Sequence, residues 1–100
     1  MGNLNIQDQN DLTKFFYSQP VQRAYLFGSA ARGDSNNNSD IDVLVELDEK
    51  TDIFQLVSIQ LQLEKLLNKR VDVVSANGLS ARFKQSIDKE KILIYEKQNH

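Results

Sequence analysis

Residues 24–47, AYLFGSAARGDSNNNSDIDVLVEL, decide the reading of this chain. An apolar run breaks at Gly28-Ser29, passes through Ala31-Arg32-Gly33, and re-emerges after Ser39 as Asp40-Ile41-Asp42-Val43-Leu44-Val45. Side chains in a strand alternate between faces, so Asp40 and Asp42 project from one face while Ile41, Val43 and Val45 point to the other. At about 4 Å and an effective dielectric near 20, two such carboxylates would repel by about 4 kcal/mol. A divalent cation removes that repulsion. Hard cations take oxygen ligands, and Mg²⁺ is commonly held by one or two carboxylates together with substrate phosphates. Gly28-Ser29 supplies the anion side of the same site. A glycine at a strand end lets backbone N–H groups approach a phosphate, and a following helical turn would aim its positive end there.

The composition narrows the class. One hundred residues are enough for one domain, expected to span 1–100, with a single core and no second substrate-binding domain. Hydrophobic residues at 40% and charged residues at 26% are ordinary globular values, which argues against a disordered or membrane-spanning chain. A net charge of −2 and scattered Lys and Arg give no field or patch for a polyanion, so nucleic-acid binding is not indicated. The absence of cysteine excludes disulfides, thiolate zinc sites and cysteine nucleophiles. The polar stretch 1–10 has no apolar core for a signal peptide, and no later run is long enough to span a bilayer. The expected location is the cytoplasm. The only histidine, His100, has no assigned role.

Around the central stretch the pattern predicts a helix over 11–18, with Leu12, Phe15 and Phe16 on one side and an end at Gln19-Pro20. Strands follow over 23–27 and 41–47. Residues 53–68 alternate partly like a strand, yet their length, their Gln, Leu, Glu and Lys content and an Asp52-to-Gln55 capping pattern favour a helix. That Leu-rich helix reads as core, or as core plus an interface. A third strand is predicted over 71–75, a helix from an N-cap at Ser80 to about residue 89, and a last strand over 91–96.

The spacing of Phe27-Gly28-Ser29-Ala30-Ala31-Arg32-Gly33 and Ser39-Asp40-Ile41-Asp42-Val43-Leu44-Val45 resembles the signature of the DNA polymerase beta-like nucleotidyltransferases, in particular their minimal, MNT-type members. That resemblance implies a third carboxylate on a later strand. Asp72, flanked by Val71, Val73 and Val74, matches it, with Glu46 and Asp48 as competing candidates. It also implies a site in which Asp40, Asp42 and Asp72 are catalytic and hold two Mg²⁺ ions. Gly28, Ser29, Arg32 and Ser39 would contact ATP or another nucleoside triphosphate, and Arg82 and Lys84 are weaker candidates for nucleotide contact.

These roles constrain the fold. Gly28 ends one strand and Asp40 begins the next, so bringing them together makes those strands antiparallel. Adding Asp72 makes the second and third strands parallel, which needs a crossover helix, and 53–68 provides one. The expectation is an α/β (α+β) fold, a small mixed β-sheet with packed helices. The resemblance further implies transfer of a nucleoside monophosphate, AMP from ATP, to a tyrosine hydroxyl of a HEPN-domain toxin, the chain acting as its antitoxin. Transfer to a small molecule, as in aminoglycoside-type enzymes, and toxin neutralisation by binding alone are the alternatives. A homodimer or hetero-oligomer is compatible with each.

Overall fold

The computed structural model describes residues 6–28, 31, 40–48, 51–77 and 79–98. The elements in chain order are α1 (Ile6–Tyr17), β1 (Val21–Phe27), β2 (Ile41–Leu47), α2 (Ile53–Leu67), β3 (Val71–Ser75), α3 (Ala81–Asp88) and β4 (Ile92–Glu96). The four strands form one sheet in the order β3-β2-β1-β4. β1 runs antiparallel to both β2 and β4, and β2 runs parallel to β3 across the α2 crossover. The small mixed sheet expected from the sequence is the fold observed.

The helix ends are set by local chemistry. Asp52 caps α2 by accepting from the Gln55 N–H at 3.0 Å, and Asn68 closes it in the left-handed conformation at φ 54°. Ser80 caps α3 by accepting from the Phe83 N–H at 3.2 Å. The first helix departs from the expected 11–18, because it begins at Ile6. Its extra turn is polar and is held by side-chain bonds, Gln7 to Asp11 at 2.9 Å and Thr13 to the Gln9 carbonyl at 3.0 Å. Apolar periodicity carries no signal for a turn of that kind.

The strand alternation sorts the sheet into two unlike faces. Ala24 and Leu26 of β1, Val43 and Val45 of β2 and Val71 and Val73 of β3 pack with Leu12 and Phe16 of α1 and Ile59, Leu63 and Leu67 of α2. The other face carries a small cluster of Phe27, Leu44 and Ile87, edged by Tyr25 and Val74, with α3 lying over part of it. β3 is an edge strand, and its Val71 and Val73 N–H groups donate to Glu64 and Gln60 of α2, both at 3.1 Å. The crossover helix thereby blocks the edge against a further strand.

Candidate active site

Asp42 lies on the less covered sheet face, two residues from Leu44 in the period of two that also places Glu46 there. Across β1 it is level with Phe27, and across the parallel pair it is level with Asp72. Thirty residues apart in the chain, Asp42 and Asp72 thus occupy the same register position on neighbouring strands. Asp42 is half-buried and Asp72 exposed, so the pair opens to solvent. Asp40 stands just before β2, where the Ile41 N–H donates to the Arg70 carbonyl at 2.9 Å and ties the start of β2 to the start of β3.

Gly28 follows Phe27 directly and has φ +68°, a conformation that costs an L-residue about 1–2 kcal/mol. A Cβ added there would fall on the Asp42 carboxylate, with the Asp42 Cγ at 3.3 Å. Glycine is needed on both counts. Its N–H donates to Glu90 Oε1 at 3.0 Å, so a carboxylate from the turn after α3 holds the very donor expected to face a phosphate. Nothing in the pattern Lys89-Glu90-Lys91 marks Glu90, because its partner is 62 residues away. Ala31, helical and packed against the main core, belongs to the segment after Gly28. Ser29, Arg32 and Ser39 lie outside the described residues.

The competing carboxylates are engaged elsewhere. Glu46 is four residues along β2 from Asp42, about 13 Å at the usual strand rise. It accepts from Arg23 at 2.9 Å and from the Tyr25 hydroxyl at 2.9 Å. Burial, and then the bond to Glu46, push the Tyr25 phenol up to about 12. Arg23 also binds Glu96 at 2.7 Å, and its guanidinium is held further up by Glu96 first and Glu46 second. Asp48 accepts from the Gln22 side chain and pairs with Lys97 at 3.4 Å. Beside this network a cleft of about 340 Å³ opens between the sheet and α3, lined by Arg23, Leu44, Glu46, Asn77, Lys84 and Lys91. Lys84 therefore reaches the aspartate-bearing face.

Among the described residues no three carboxylate, histidine or cysteine side chains converge into a ready metal cage. The donor set nevertheless suits Mg²⁺, which is bound by one or two carboxylates with substrate phosphates completing its shell, not by a dedicated protein cage. Asp42 and Asp72 offer hard oxygen donors at one register position on neighbouring strands, with Gly28 close against the Asp42 carboxylate.

Comparison with known proteins places the fold and the sequence in one family. The family model described as Polymerase beta, Nucleotidyltransferase matches residues 10–100. The chain is 40% identical over 72 residues to a candidate protein adenylyltransferase, MJ0435, of Methanocaldococcus jannaschii, covering 72% of this chain and 77% of that one. It is 30% identical over 74 residues to the protein adenylyltransferase MntA of Thermococcus cleftensis, covering 74% and 75%. Among solved structures, it is similar to a chain of a toxin-antitoxin crystallised with AMP-PNP, with a TM-score of 0.79 and 26% identity over 90% of this chain and 74% of that chain.

Proposed function

This chain belongs to the polymerase beta nucleotidyltransferase family, and from that premise we propose that it is an Mg²⁺-dependent protein adenylyltransferase. In this reading one domain over 1–100 acts in the cytoplasm as an antitoxin, transferring AMP from ATP to a tyrosine hydroxyl of a HEPN-type toxin. The observation that carries the proposal is the pairing of Asp42 with Asp72 at one register position, with Gly28 pressed against the Asp42 carboxylate. Relatives named protein adenylyltransferase and a neighbour named as a toxin-antitoxin with AMP-PNP support the choice of nucleotide and partner.

Asp40, Asp42 and Asp72 would hold two Mg²⁺ ions, which neutralise the triphosphate and make the acceptor hydroxyl more acidic. Gly28, Ser29, Arg32 and Ser39 would hold the triphosphate with its α-phosphorus toward the acceptor. The tyrosine oxygen then forms a bond to that phosphorus, the bond to the bridging oxygen of the β-phosphate breaks, pyrophosphate leaves, and the phenolic proton passes to solvent. The protein contributes positioning and charge neutralisation to this step. The face bearing Asp42 is open enough for a side chain presented by another protein, whose own docking energy brings the hydroxyl to the site.

Incubation with α-labelled ATP and a HEPN-domain toxin tests the proposal. Label should pass to a toxin tyrosine, and Asp40→Ala should abolish it. If Asp40→Ala, still folded, protects cells as well as wild type and wild type transfers no label, the chain is a stoichiometric binder and the enzymatic reading is wrong.

A further inference from the structure

The crossover helix α2 is apolar on more than the face it buries. Ile59, Leu63 and Leu67 point into the core, yet Phe54 is 80%, Ile53 67%, Leu61 60% and Val57 51% exposed. These four lie at helical spacing on one side, next to Gln60 and Glu64, which seal the β3 edge. No charged residue occurs from Ile53 to Leu63. A helix apolar around most of its circumference is normally covered, and an exposed patch of a few hundred Å² at one place marks an association surface.

We infer that this stripe pairs with the same stripe of a second copy, two α2 helices packing antiparallel about a two-fold axis. The charge pattern selects this occupant. Setting Val57 level with Leu61 of the second copy sets Ile53 level with Lys65 of that copy, since both pairs share one centre. Asp52, which caps α2, then stands beside the Lys65 ammonium, and the two-fold repeats the contact at the other end. Among the described residues Lys65 forms no ion pair, and the Asp52 carboxylate accepts only from its own helix end. The uncharged centre sets no like charges against each other, and the antiparallel order brings opposite helix ends together. A stripe of about 12 Å from Ile53 to Leu61 is shorter than an obligate interface needs, so the dimer forms at micromolar concentration and exchanges.

The inference does not rest on nucleotide transfer, and sedimentation equilibrium of the full chain tests it. Wild type should pass from monomer to dimer with rising concentration. Leu61→Glu and Val57→Glu, checked for native circular dichroism, should each weaken the dimer at least about 100-fold, because each charge is buried twice. Lys65→Glu should weaken it about 10-fold, and adding Asp52→Asn, which keeps a capping oxygen, should recover most of that loss. Wild type monomeric throughout, or a dimer indifferent to Leu61→Glu and Val57→Glu, overturns the proposal. So does loss of toxin binding in these variants with no self-association in wild type, which would assign the stripe to the toxin.

Discussion

β2 separates two regions built from the same seven residues. Ile41, Val43 and Val45 face α1 and α2, where Val43 and Val45 are fully buried with Phe16, Ile59 and Leu63. Asp42, Leu44 and Glu46 face the other way, where only Leu44 is buried and the carboxylates find partners or solvent. The first face contributes stability through area removed from water, and the second gives some of that up to keep charged groups at the surface. The contrast teaches that a small sheet can carry chemistry only because its opposite face supports the fold.

Substitutions on the two faces should therefore separate activity from stability. The largest effect expected is on transfer. Asp42→Asn should reduce label incorporation by at least about a thousandfold, as loss of metal-assisted catalysis removes several kcal/mol. Its melting temperature should stay near that of wild type. For wild type, ATP with Mg²⁺ should raise the melting temperature and ATP with excess chelator should not. An Asp42→Asn protein that transfers normally would remove the distinction between the faces.

On the other face, Phe16→Ala should cost about 3–5 kcal/mol in urea unfolding, because a fully buried ring stacked against Tyr95 leaves a cavity. Gly28→Ala tests where the regions meet. Left-handed strain of about 1–2 kcal/mol should appear in unfolding, and contact with Asp42 should lower ATP affinity more than the stability loss explains. Glu90→Ala should also raise the KM for ATP, while Glu90→Gln, still able to accept from Gly28, should recover it. Equal effects of both variants would mean that Glu90 acts through its charge and not as a holder of the turn.

The smallest effect concerns Tyr25. Its pKa is raised from 10.0 to about 12, so the folded state favours the protonated phenol. That contribution is complete below pH 10 and is lost as pH rises from 10 to about 12. Tyr25→Phe should flatten the stability profile across this window and cost about 1 kcal/mol below it by deleting the bond to Glu46.

The sequence by itself determined what is settled within a few residues. The Asp40 and Asp42 spacing, the two caps at Asp52 and Ser80, the alternation of β2 and the need for a crossover before a parallel strand were all legible, because strand period, capping and chain reach are local rules. The polar first turn of α1 was not, since it rests on side-chain bonds and not on periodicity. The sequence singled out Asp72, and the tertiary structure decided that it stands level with Asp42 while Glu46 and Asp48 are engaged elsewhere. It also decided that Glu90 reaches Gly28 and that four apolar side chains of α2 stay outside. The physical reason is common to all of these. Register and long-range partners are fixed when distant segments close on one another, by geometry that no short window contains.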